Sequence, residues 1–167
     1  PGLSRPERFV DCGAFDGDTL KQLHVRHGRI GAIAAFEPDL DNFRKICAIE
    51  GLSGFAETTA LFPCGVWSSA CQLSFRADGQ GSSQVTSGGT HTIQCVSLDE
   101  ALPAFAPTYV KMDIEGAEYE ALLGARRTIT EHRPALAVSA YHRPQDLWTL
   151  PILVRRLGPG YRLYLRS

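Results

Sequence analysis

The 167-residue chain has no apolar run approaching the roughly 20 residues that span a bilayer, and its first residues, PGLSRPERF, lack the apolar core of a signal peptide. It reads as a soluble protein. It also lacks an excess of either charge: a net charge of −1 leaves no electrostatic footprint for nucleic acid or an anionic membrane surface, so the expected ligand is small. The five cysteines (Cys12, Cys47, Cys64, Cys71, Cys95) are odd in number and form no CxxC, which argues against a disulfide framework or a zinc site. Scattered thiols of this kind read as small buried hydrophobes in a reducing compartment, and the expected location is the cytoplasm. The phosphate loop GxxxxGK[ST] and the dinucleotide pattern GxGxxG are both absent. What remains is an ordinary globular composition, 44% apolar and 21% charged, in a chain long enough for one domain with a sizeable core.

Periodicity and punctuation give a strand over 8–12 and a helix over 17–27 that stops at Gly28. A second unit repeats the plan. A short apolar strand over 32–38 closes at Pro38, which suits the first turn of a helix, and Leu40, Phe43, Ile46 and Ile49 follow at helical spacing. From 57 to 96 the sequence alternates and turns, which reads as an insertion of short strands around a Gly/Ser-rich loop at 78–90, either a linker or a lid over substrate. Ser97 and Glu100 have capping-box spacing, so a short helix begins there. Then come a strand over 109–114, a long helix over 116–132, a strand over 134–141, a helix within 144–157 and a closing strand over 161–165. Strands alternating with helices mean an α/β fold, a doubly wound, mostly parallel sheet covered on both faces. The chain stops inside its last strand, which reads as a piece of a longer protein.

Ligands of such sheets bind outside the carboxyl ends of the strands. Asp11 to Gly13 end the first strand, Glu37 the second, Asp113 and Glu115 the strand after the insertion, and His142 the next. Acids and an imidazole from four strands therefore meet at one edge. In FVDCGAFDGDTL, Gly13 and Gly17 bracket the turn, and Glu37 lies 20 residues past Gly17, the offset at which dinucleotide-binding folds place an acid on ribose hydroxyls. A diphosphate needs backbone amides with no anion nearby. This turn carries Asp11, Asp16 and Asp18, which repel a diphosphate and attract a cation. A nucleoside with a cationic group and no phosphate describes S-adenosylmethionine.

The segments FVDCGAFDGDTL, AFEPDLDNF, PCGVWS, VSLDEAL, VKMDIEGAEYEALLGARRTI and YHRPQDLWTLP resemble, in that order, the motifs of the FkbM-type methyltransferase family. The resemblance covers residues 8–166. It implies a Rossmann-like class I methyltransferase fold, S-adenosylmethionine as cofactor, and O-methylation of a hydroxyl on a small molecule or glycan. It also implies a sheet ending in an antiparallel hairpin whose final strand this chain lacks. Asp11, Gly13 and Gly17 would cradle the methionine part, with Asp11 or Asp16 reaching its ammonium, and Glu37 would bind the ribose. Ala14, Thr19, Pro38 and Asp113 complete the expected cofactor contacts, together with Trp67, which either covers the adenine or belongs to the core. Many relatives carry a glutamate where this sequence has Ser139, and no role resting on that acid transfers.

Three residues are candidates for the chemistry. Lys111 and Asp113 share one face of a strand that should be buried, so they either pair structurally or line the site. His142, in YHRP at a strand end, would take the proton from an acceptor hydroxyl or join Asp113 on a metal, although no metal is assigned from the sequence. Glu118 reads as an ordinary acid in the first turn of a helix. Two rivals share the sheet: a nicotinamide-dependent oxidoreductase, and a cofactor-binding module without catalysis.

Overall fold

A computed structural model of the chain describes residues 7–76, 84–85 and 91–166. Its centre is a five-stranded sheet in the order β3-β2-β1-β8-β9, built from β1 (Arg8–Cys12), β2 (Ile30–Phe36), β3 (Ala56–Phe62), β8 (Tyr109–Met112) and β9 (Ala135–Val138). Every pairing in it is parallel. The chain winds outward from β1 to β2 and β3, then crosses to β8 and β9, so the order reverses between β1 and β8. That is where a doubly wound sheet opens a crevice.

Alternation along the strands makes two cores. Phe9, Ile33 and Ala35 face one side with Leu20 of α1 (Asp18–His27) and Ile46 of α2 (Leu40–Cys47). Val10, Phe36, Val110 and Met112 face the other, against Leu122 of α4 (Glu118–Gly124), Ile129 of α5 (Arg126–His132) and Leu153 of α6 (Asp146–Leu157). Full burial of a side chain such as Phe36 contributes about 1.5–3 kcal/mol. Near-continuous apolar β2 is what a strand covered on both faces requires.

A second sheet, ordered β4-β7-β5-β6, consists of β4 (Gly65–Val66), β5 (Cys71–Arg76), β6 (Gln84–Val85) and β7 (His91–Val96). This is the expected insertion, with one correction. Residues 56–62 do not belong to it: β3 adds to the main sheet beside β2, because its register with Ile30–Phe36 continues the parallel ladder. The loop expected at 78–90 lies outside the described residues apart from Gln84–Val85.

Other expectations shift locally. Asp39 is the N-cap of α2, accepting hydrogen bonds from the amides of Asp41 (3.0 Å) and Asn42 (2.9 Å), so Pro38 stands before the cap and not in the first turn. The capping box at Ser97 and Glu100 is present at the start of α3 (Leu98–Ala101). The long helix expected over 116–132 is two helices meeting at Ala125. Gly124 ends the first against the main-chain carbonyl of Trp67, an approach that no side chain permits. Asp99 then caps the second, accepting from the amides of Arg127 (2.7 Å) and Thr128 (2.9 Å). Residues 161–166 form no strand among the described residues. A strand exists through its ladder, and the nearest tie here is a side chain: the Tyr161 hydroxyl donates to the carbonyl of Pro134 at 2.7 Å.

All five cysteines are free; Cys12 and Cys95 are buried, whereas Cys47, the last residue of α2, is exposed and departs from the expected burial. No described helix is long and apolar enough to cross a membrane.

Candidate active site

The crevice holds a cavity of about 540 Å³ at the carboxyl ends of β1, β2 and β8, roofed by the second sheet. Gly13, Thr19, Glu37, Pro38, Trp67, Lys111 and Asp113 border it. Asp11, Ala14, Asp16, Gly17 and His142 do not border it, and each has a visible place elsewhere.

The turn after β1 is built from left-handed residues: Gly13 (φ 80°), Phe15 (φ 51°) and Gly17 (φ 81°), the last heading α1. A Cβ on Gly13 would collide with the main-chain carbonyl oxygen of Asp113, so β1 and β8 approach here as only glycine allows. Phe15 holds the same conformation at a strain of about 1–3 kcal/mol. Its amide donates to Glu37 Oε2 at 2.8 Å, while Oε1 accepts the amide of Asp39 at 2.9 Å. One carboxylate thus ties the first βα turn to the second. Burial pushes Glu37 up to about 7, partly opposed by those two amides. Ala14 is fully buried among apolar neighbours, and Asp16 accepts the Asp18 amide at 3.1 Å, steadying the entrance to α1.

Asp11 is completely buried. Its register partner across the β1–β8 ladder is Lys111, whose Nζ lies 3.0 Å from Oδ1 and also donates to the Gly13 carbonyl at 2.9 Å. Burial pushes Asp11 up to about 6 against the attraction of that ammonium. For Lys111, burial works against the charge but Asp11 outweighs it, and its pKa is raised. Lys111 therefore pairs with Asp11, and not with Asp113, which follows the end of its strand.

Asp113, with Oδ1 accepting the Tyr141 hydroxyl at 2.9 Å, stands on the cavity wall beside Glu115, a residue also held left-handed at φ 55°. Burial raises the Glu115 pKa, and neighbouring His142 pulls it back. His142 sits behind them, Nε2 at 3.5 Å from Asp113 Oδ1 and 3.6 Å from Glu115 Oε2, Nδ1 at 2.9 Å from Glu118 Oε1. Glu118 stands in the first turn of α4, as expected, but is fully buried there. Its signal was available: Glu118 shares a helical stripe with Ala121, Leu122 and Ala125, all core residues.

The cavity also uses residues the sequence did not single out. Phe15 and Asn42 flank Glu37, and Leu73, Ile93 and Cys95 come from the roof. Asn42 is legible as a polar residue in the first helical turn after Glu37. The roof residues are not, since nothing local says where the insertion folds. Among the lining groups Asp18, Glu37, Asp113 and Glu115 face a single lysine that is already engaged, so the cavity is electronegative with apolar surfaces at Phe36, Val66 and Trp67.

The family described as the methyltransferase FkbM domain matches residues 11–165. No curated protein matches the chain. Among solved structures, that of methyltransferase FkbM from Methylobacillus flagellatus KT is similar, at 32% sequence identity and a TM-score of 0.73 over 97% of this chain. This chain spans 40% of that protein's length. A match across nearly the whole chain, a solved relative at that identity and the acid-bearing strand ends agree, and the chain belongs to the FkbM methyltransferase family.

Proposed function

We propose that this cavity binds S-adenosylmethionine and that the protein methylates a hydroxyl oxygen of a small molecule or glycan. The observation that carries the reading is the electronegative cavity with Glu37 at the end of β2. Each Glu37 oxygen spends one lone pair on a backbone amide and keeps another, enough to accept both hydroxyls of a vicinal diol. Apolar surface beside Trp67 suits a nucleobase, and the acids suit a cation. S-adenosylmethionine, when bound, supplies an electrophilic methyl carbon that passes to the acceptor oxygen as its bond to sulfur breaks, leaving neutral S-adenosylhomocysteine.

The protein's own part is alignment and proton removal. Gly13 and Lys111 hold the turn between β1 and α1 in one shape. Asp113 and Glu115, with His142 behind them, form the wall that receives the acceptor's proton. Alignment supplies effective molarities of about 10⁵ M or more in favourable cases, and general-base help about 10²–10⁴. Dinucleotide chemistry fits poorly, because the same acids repel a diphosphate.

Calorimetric titration with S-adenosylhomocysteine and, separately, with NAD tests the reading. Heat with the first and none with the second is expected. Binding of NAD alone would replace methyl transfer by hydride transfer.

A further inference from the structure

We propose that Asp113, Glu118 and His142 form a site for one divalent cation of borderline character, Mn²⁺ or Zn²⁺, against the wall of the cofactor cavity. One donor atom from each of the three lies within 4.8 Å of the other two. Two features go beyond a cluster of acids.

The first is burial without partners. The His142 side chain is 6% exposed and that of Glu118 not at all. Neither ring nitrogen of His142 has a hydrogen-bond partner among the described residues, and neither does Glu118 Oε2. The 2.9 Å approach of Nδ1 to Glu118 Oε1 is an ion-pair contact lying off the line of a ring N–H; Oε1 instead accepts the Ile114 amide at 2.9 Å. A buried polar atom left unpaired costs about 1–3 kcal/mol, and here unpaired atoms of an imidazole and a carboxylate lie side by side.

The second feature is charge. Asp113, Glu115 and Glu118 surround one imidazole, so even a protonated ring leaves two of three negative charges unanswered. No lysine or arginine is paired with any of them among the described residues. A divalent cation answers that deficit. The 3.5 Å between His142 Nε2 and Asp113 Oδ1 is already near the ~3.4 Å edge of a tetrahedron with bonds of about 2.1 Å. One nitrogen with two carboxylates suits Mn²⁺ or Zn²⁺ better than Mg²⁺ or Ca²⁺, which favour all-oxygen shells. Three protein ligands leave a coordination position, and Asp113 is the ligand on the cavity wall, so that position takes the acceptor's hydroxyl oxygen and makes its proton more acidic. Glu115 then remains free to receive that proton. This last role rests on the methyl-transfer reading, whereas the binding site does not.

Protein stripped with chelator is titrated with Mn²⁺, followed by electron paramagnetic resonance and calorimetry, then competed with Zn²⁺ and with Mg²⁺. One Mn²⁺ per chain, displaced by Zn²⁺ more readily than by Mg²⁺, is expected. Asp113→Asn and Glu118→Gln should each weaken it by about tenfold or more, while Asp41→Asn, an exposed acid on α2, should leave it unchanged. Circular dichroism establishes that each variant is folded; if buried Glu118→Gln is not, the more exposed Asp113→Asn still decides. Folded wild type that takes up no Mn²⁺ or Zn²⁺ below about 1 mM, or uptake indifferent to Asp113→Asn, overturns the site. S-adenosylhomocysteine titrated into the same samples separates the two claims: nucleoside heat without cation uptake removes the metal site alone, and cation uptake without nucleoside heat upholds the metal site while removing the methyl-transfer reading.

Discussion

Replacing Glu37 by alanine should change stability in a way that depends on pH, and the size of the effect follows from burial. The folded carboxyl lies at about 7 against an ordinary 4.5, chiefly because burial disfavours its charge. Each unit of such a shift is worth about 1.4 kcal/mol, so the rise corresponds to about 3 kcal/mol. The sign follows from proton binding: between these two values the folded state holds a proton that the unfolded state has released, so stability is full below 4.5 and falls as pH rises through 7. The alanine variant lacks this term. It also loses the acceptor for the Phe15 and Asp39 amides, each bond to the protonated carboxyl at pH 5 contributing about 0.5–1.5 kcal/mol. The wild type should therefore be the more stable protein at pH 5, and its lead should shrink by about 3 kcal/mol by pH 8. Urea unfolding of both proteins across that range, with slopes held common, measures the difference directly. A gap that stays constant with pH would show that Glu37 titrates normally and that its burial has been misjudged.

Other consequences are testable in the same preparations. Glu37→Ala should weaken S-adenosylhomocysteine binding by about tenfold or more, since at least one charged hydrogen bond to ribose is lost; calorimetry reads this. Gly13→Ala should destabilise by at least about 3 kcal/mol in denaturant unfolding, because it combines a left-handed φ with a collision against the Asp113 carbonyl. Lys111→Met should lower stability at neutral pH by about 3–5 kcal/mol by stranding the Asp11 charge, and Asp11→Asn added to it should restore a substantial part. His142→Ala should keep S-adenosylhomocysteine affinity and lose about 10²–10⁴ in turnover; near-normal turnover would remove His142 from the chemistry.

How much was legible depended on the range of the interaction. The β1–α1–β2–α2 unit is written locally: apolar strands, a Gly-bracketed turn, an acid past the second strand, helical spacing in LDNFRKIC. The capping box at Ser97 is likewise a matter of four consecutive residues. Residues 56–62 were misassigned because alternation and turn signals look alike whether a strand extends the main sheet or starts an insertion; only pairing with β2 decides. The Asp11–Lys111 pair could not be chosen over Asp113–Lys111 without the register of β1 on β8, which sets the first two opposite each other. Glu118 stands in the first turn as its position indicates, but its burial follows from an apolar helical stripe that sets the acid beside His142 and the Ile114 amide.

The meeting of Gly124 with the Trp67 carbonyl has a practical outcome for anyone who would reshape this protein. Trp67 lines the cavity, and Gly124, which does not, ends the helix that begins at Glu118. The position of the cavity wall at Trp67 is thus fixed from the rear, by how closely one backbone rests upon another. A methyl group added at Gly124 could be accommodated only by displacing the Trp67 main chain or the helix end, so this stretch of the cavity wall is set by a residue that never faces the cavity.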